Sequence, residues 1–249
     1  MSALLRLTGF AIERAGRTLI SELSCAFHAG EITVVLGPNG AGKSSLLLAL
    51  NALIPASGNI ELQGNDLAAY SRNELADTIA WQGSLPPTEF GLTVEQRLRL
   101  AVHGEAVSIE EQARTMDVSA LMSRPLGELS SGERQRVELA ALMLRDTPIW
   151  LLDEPTAHLD LKHQISCIQM LKKQAQDGRA IITVLHDIQQ ALAIADFVIL
   201  IDGKGRAEYG GASSFLNSVK LSQLFDAPVV EQQAALIPNY DITHGGEKQ

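Results

Sequence analysis

Residues 32–53 read ITVVLGPNGAGKSSLLLALNAL. The apolar run Ile32 to Leu36 predicts a strand, Lys43 to Leu53 predicts a helix, and Gly37-Pro38-Asn39-Gly40-Ala41-Gly42-Lys43-Ser44 between them fits G-x-x-x-x-G-K-[ST]. A triphosphate must be approached by backbone N–H groups, and glycine lets the main chain wrap closely without a Cβ clash. The helix that follows points its unpaired donors at the same place. Lys43 supplies a point charge for the terminal phosphates, and the Ser44 hydroxyl is a ligand for Mg²⁺.

Three further aliphatic runs extend the pattern: Ile149 to Asp153, Ala180 to Leu185 and Phe197 to Ile201. They alternate with helical segments at Gly132 to Arg145, Leu161 to Gln176 and Ile188 to Ala195, which predicts a mainly parallel sheet with helices on both faces. Leu4 to Ile12 and Arg17 to Leu23, joined by an Ala-Gly turn, predict an antiparallel β layer at the start. Between Trp81 and Leu126 the strand-like runs stop. Thr93 to Val102, Ile109 to Met116 and Ala120 to Ser123 read there as short helices, an inserted helical lobe. From Phe225 onward the pattern fades into a weakly ordered tail.

Composition narrows the class. At ~150 residues per domain, a chain of 249 residues holds between one and two domains. It is 46% apolar and 20% charged, which argues against disorder. With two Trp, three Tyr and six Phe, the core must be aliphatic. A formal net charge of −9 excludes bulk coating of nucleic acid. Cys25 and Cys167 show no metal spacing and read as reduced core thiols of a cytosolic compartment. Arg6, Glu13 and Arg14 interrupt any signal-peptide pattern at the N-terminus. The longest uncharged stretch, Ser44 to Ile60, is broken by Asn51, Pro55 and Gly58 and falls short of the ~20 apolar residues of a membrane span.

Two more stretches carry chemistry. Pro148-Ile149-Trp150-Leu151-Leu152-Asp153-Glu154-Pro155-Thr156 is a hydrophobic strand ending in paired carboxylates, where open α/β sheets hold their ligands. Asp153 is placed to hold Mg²⁺, and Glu154 to polarise a water for in-line attack on a γ-phosphate. Leu129-Ser130-Ser131-Gly132-Glu133 opens a helix, with Ser130 and Glu133 spaced as a capping box. Such a helix start is also an anion site for a phosphate presented by another chain.

The order of the phosphate loop, Gln82, Leu129-Ser130-Ser131-Gly132-Glu133, Leu151-Leu152-Asp153-Glu154-Pro155 and His186 is similar to that of the ATP-binding cassette (ABC) ATPases, over roughly Leu4 to Leu224. The resemblance implies a P-loop NTPase core as an ATPase domain over 1–224, a helical subdomain inserted at about 83–147, and a tail over 225–249. It implies that ATP is bound by the loop through Ser45, that Ser130, Ser131, Gly132 and Glu133 act in trans on the ATP of a second copy, and that Gln82 senses Mg²⁺. Asp160 resembles the loop residue that crosses the dimer interface, and His186 the switch histidine at the γ-phosphate. Ser131 departs from the family pattern, which usually has Gly there. No aromatic residue stands where many cassettes stack a ring on adenine; Arg14 is the candidate, as an adenine-stacking guanidinium or as a solvated hairpin residue.

The segment Thr156-Ala157-His158-Leu159-Asp160-Leu161-Lys162-His163-Gln164 is similar to the motors of iron-siderophore, haem and cobalamin importers. That likeness implies a homodimer peripheral to the cytoplasmic face of the inner membrane, separate permease subunits docked on a groove of the helical lobe, and a periplasmic or surface binding protein as indirect partner. Alternatives are a motor for another cargo, a soluble cassette not coupled to transport, or a nucleotide-binding scaffold. The second usually carries a coiled-coil insertion or tandem cassettes, and the third would lack Glu154.

Overall fold

The chain opens with two long strands, β1 (Leu5–Arg14) and β2 (Arg17–Phe27), paired antiparallel through the Ala15-Gly16 turn. The first crossover follows: β3 (Ile32–Leu36) into α1 (Lys43–Leu50). In a computed structural model that describes residues 2–83, 85, 91–104, 108–231 and 240, ten strands form one sheet. β4 (Ser57–Leu62) and β5 (Asn65–Asp66) extend the antiparallel layer beside β1. Next come α2 (Arg72–Thr78) and β6 (Ile79–Gln82). The stretch before the next strand is helical, with α3 (Val94–Ala101), α4 (Ile109–Thr115) and α5 (Ser131–Met143). The second half alternates: β7 (Ile149–Asp153), α6 (Leu161–Gln176), β8 (Ala180–Val184), α7 (Ile188–Ile194) and β9 (Phe197–Ile201). β10 (Gly205–Gly211), α8 (Ala212–Phe215) and α9 (Ser218–Phe225) complete it.

The sheet order is β5-β4-β1-β2-β10-β9-β3-β8-β7-β6. Five neighbours, β9, β3, β8, β7 and β6, run parallel. They are largely apolar and mostly buried because both faces are covered. Along β7, Trp150 and Leu152 enter one hydrophobic cluster, while Ile149 and Leu151 enter the other on the opposite face. Parallel direction also brings the carboxyl ends of these strands to one edge. Val35 on β3 is level with Val184 on β8, Val184 with Asp153 on β7, and Leu152 with Gln82 on β6. Residues distant in the chain therefore meet just beyond that edge.

Some local expectations shift. The helix expected over Lys43 to Leu53 stops at Leu50, where Asn51 leaves helical geometry and Ala52 turns to φ 51°. Ala120 to Ser123 forms no α-helix; a single 3-10 turn covers Ser119–Leu121. β4, β5, β6, β10, α2, α8 and α9 are additional to the elements read from sequence. Of the tail, residues 232–239 and 241–249 lie outside the described residues, as do 84, 86–90 and 105–107 of the helical stretch. The tail is partly anchored: Val229 N donates to Ser222 Oγ at 2.9 Å, and Tyr240 is buried. Among the described residues no helix is long and apolar enough to cross a membrane.

Candidate active site

The loop after β3 is shaped by close backbone approach. A Cβ on Gly37 would lie 2.2 Å from the Ile201 carbonyl oxygen, so no larger residue fits. Gly42 caps α1 at φ 109°, a left-handed position, with no side chain closing the helix start. The first-turn N–H groups of α1 are thereby left for a ligand. Lys43 Nζ donates to the carbonyls of Gly37 at 2.8 Å and Pro38 at 3.0 Å, which holds the ammonium inside the loop. Burial lowers the Lys43 pKa, opposed by the carboxylates of Glu154 and Asp153.

A cavity of about 670 Å³ opens over this loop, lined by Arg14, Leu19, Asn39, Gly40, Gly42, Lys43, Ser44, Ser45, Glu154 and His186. Most of the sequence-derived candidates for nucleotide and catalysis thus share one space. Ala41 is buried behind the loop, and Pro38 meets the site through its carbonyl. Leu19 was not among those candidates. It contacts the loop directly, since a Cβ on Gly42 would sit 3.0 Å from Leu19 Cβ, a tertiary contact without a local signal.

Beyond β7 and β8 the polar groups converge. Glu154 sits at φ 54°, uncommon for a side chain with a Cβ, and its N–H donates to the Val184 carbonyl at 3.2 Å. Its Oε1 is 2.6 Å from His186 Nε2, with both side chains 44% exposed. Asp153 is more enclosed. Burial raises its pKa, the Ser44 hydroxyl lowers it, Glu154 raises it, and Lys43 and His186 lower it. Two buried oxygens here, Gln82 Oε1 and Asp153 Oδ1, have no hydrogen-bond partner among the described residues. The Gln82 amide nitrogen donates to the Gly83 carbonyl at 2.8 Å, which fixes the side chain.

The stretch from Leu129 to Glu133 lies elsewhere on the same chain. Ser130 caps α5: its Oγ accepts from Glu133 N at 3.2 Å, and Glu133 Oε2 accepts from Ser130 N at 2.8 Å. The bonds that Glu133 Oε2 accepts from the Ser130 N–H and from the Ser130 hydroxyl, each at 2.8 Å, with Arg124 and Arg136 adding, hold the Glu133 carboxyl below its usual range. Ser130 and Ser131 are exposed, and neither lines the cavity over the phosphate loop. Gly132 packs on the turn after β7, where a Cβ would lie 2.7 Å from the His158 carbonyl oxygen. Gln135 Nε2 donates to the Pro155 carbonyl at 2.9 Å, a second link that sequence reading missed. Asp160 caps α6, its Oδ1 accepting from His163 N at 3.0 Å.

Known proteins resemble this arrangement. The profile of the ABC transporter family matches residues 20–157. The hemin import ATP-binding protein HmuV of Streptomyces coelicolor is 37% identical over 232 residues, which cover 89% of this chain and 82% of that protein. The cobalamin import ATP-binding protein BtuD of Halobacterium salinarum is 34% identical over 238 residues, 90% of this chain and 59% of that protein. Among solved structures, an inward-facing transporter described as of metal-chelate ABC type superposes with a TM-score of 0.79 at 24% identity, covering 96% of this chain and 95% of that one.

Proposed function

The chain belongs to the ABC transporter family, and from that membership we propose that it is the ATP-hydrolysing motor of a bacterial importer for a metal chelate of the iron-siderophore, haem or cobalamin class. One observation carries the reading of the site: Glu154 and His186 meet at 2.6 Å in the wall of the cavity that contains Lys43 and Ser44. The names of the hemin and cobalamin import relatives support the cargo class.

ATP is held by the N–H groups of the phosphate loop and by Lys43, whose ammonium moves from the loop carbonyls to the terminal phosphates. Glu154 orients the attacking water and accepts its proton, and His186 holds the γ-phosphate oxygens. The unpartnered oxygens of Gln82 and Asp153, with the Ser44 hydroxyl, form a hard oxygen donor set that fits Mg²⁺. Mg²⁺ would neutralise charge on the phosphates when bound. Exposure of Ser130 and Ser131 away from their own chain's cavity supports their use on the ATP of a second copy, in a head-to-tail dimer.

A groove of about 260 Å³ lined by Asn51, Leu53, Arg72, Leu75, Ala76, Ile79, Trp81 and Arg145 suits a short helical segment of a separate permease. Its described lining falls beside the helical lobe instead of between Gln82 and Leu129. This docking places the motor at the cytoplasmic face of the membrane. A periplasmic or surface binding protein then acts on it only through the permease.

Co-expression with the permease tests the assignment. The complex should co-purify, and its ATPase rate should rise with a binding protein loaded with haem, ferric siderophore or cobalamin. A chain that binds no permease and hydrolyses ATP at a rate insensitive to all three would overturn the importer reading.

A further inference from the structure

Behind the Glu154–His186 pair lies a buried polar group to which the hydrolysis reading gives no role. Gln190, on α7 and four residues after His186, is 1% exposed. Asp187 caps the same turn, its Oδ1 accepting from Gln189 N at 2.7 Å and Gln190 N at 3.4 Å. The Gln190 side chain joins the turn after β7 and α6, and it also bonds to Tyr240 of the C-terminal segment. Its Oε1 accepts from the Thr156 hydroxyl at 2.8 Å, and its Nε2 donates to Gln164 Oε1 at 3.3 Å. Gln164 donates onward to the Leu159 carbonyl at 3.0 Å.

These residues stand near candidate site residues along the chain. Thr156 stands two residues after Glu154, Leu159 immediately precedes Asp160, and Gln190 lies one helical turn beyond His186. A buried primary amide that donates at one end and accepts at the other admits few alternative arrangements, because displacing it leaves polar groups unpaired. The turn it braces is one that Glu154 enters at φ 54°. Backbone bonds also hold this turn, from Glu154 N to Val184 O at 3.2 Å and from Ala157 N to Glu154 O at 3.0 Å. They fix the main chain, whereas the Thr156–Gln190 bond ties that main chain to α7.

We propose that Gln190 is a positioning residue: through Thr156 it sets the placement of Glu154 against His186, and so the rate of the chemical step. The inference rests on the reading of Glu154 as the residue that orients the attacking water. Its signature is a loss in kcat without a matching change in ATP binding, since neither Gln190 nor Thr156 lines the nucleotide cavity.

Steady-state ATPase assays on the full chain test it. Gln190→Leu and Thr156→Val should each lower kcat about fivefold to twentyfold, with KM for ATP within about twofold of the parent. The double variant should fall no further than the worse single one, because both remove the same bond. Thr156→Ser keeps the hydroxyl and should recover most of the turnover that Val loses. Unchanged kcat, losses that multiply in the double variant, or an effect confined to KM would each overturn the proposal. If Gln190→Leu does not fold, the Val and Ser pair at Thr156 decides alone. Glu154→Gln is run alongside: parental turnover there overturns the reading of Glu154 itself. An inactive Glu154→Gln with fully active Gln190→Leu and Thr156→Val overturns only the positioning role.

Discussion

His186 Nε2 lies 2.6 Å from Glu154 Oε1, joining the ends of adjacent strands β8 and β7 across the mouth of the phosphate loop. The carboxylate is therefore aligned by a ring that lines the same cavity as the loop. Glu154→Gln keeps the shape and removes the proton acceptor. It should lower ATP turnover by about 10²-fold or more while ATP binding persists, since the loop and Lys43 are untouched. With Mg²⁺ and ATP, size-exclusion chromatography should show a stable dimer of the variant. Turnover near the parental rate would remove Glu154 from the chemistry.

Ser131 and Gly132 are neighbours with opposite tolerances. Ser131 is exposed at the start of α5, so Ser131→Gly should leave ATPase activity within about tenfold, ~1.4 kcal/mol in barrier. Gly132 has no such freedom, because a Cβ would meet the His158 carbonyl oxygen at 2.7 Å. Gly132→Ala must push α5 away from the turn after β7, at a cost of roughly 1–3 kcal/mol. Urea unfolding and ATPase assays on both variants check the contrast; equal behaviour would show that the contact does not matter.

That contact marks the boundary of what the sequence discloses. The phosphate loop and the Ser130–Glu133 capping box are local patterns, so their spacing is enough to read them. β3, β7, β8 and β9 are legible because burial on both faces makes them nearly continuous apolar runs. β10 is not, since it contains three glycines and two charged residues and is a strand only through its ladders with β9 and β2. β6 is four residues long and ends at Gln82, too short to show a period. The pairing of Gly132 with His158, of Leu19 with Gly42 and of Gln190 with Thr156 spans distant segments, and only folding brings these residues together.

Arg14 ends β1 at the hairpin and lines the nucleotide cavity, the position from which a flat group can cover the base. A guanidinium offers a planar face, which an ammonium lacks. Arg14→Ala should weaken ATP binding about threefold to tenfold, in line with one exposed stacking contact. Arg14→Lys should remain weak and Arg14→Trp should recover affinity, as read by calorimetry. Equal affinity across the three variants would make Arg14 a solvated hairpin residue.

Glu208 on β10 accepts a 2.6 Å ion pair from Lys220, which fastens α9 to the sheet, with Arg206 at 2.5 Å on its other oxygen. The Lys220 hydrogen bond and the charges of Lys220 and Arg206 hold the Glu208 carboxyl below its ordinary value of 4.5, against burial and the nearby Asp202. The folded chain therefore binds fewer protons here than the unfolded chain as acid passes below about 4.5, and stability falls with pH in that window. Above it, the pair's contribution is fully present. Because about a third of each side chain is exposed, that contribution stays under about 1 kcal/mol. Glu208→Gln should thus be slightly less stable than the parent at pH 7, and the gap should close as pH falls through the folded-state pKa of Glu208. Urea unfolding at a series of pH values measures the gap directly, and a difference that stays constant from neutral to acid would show that the ion pair is not its source.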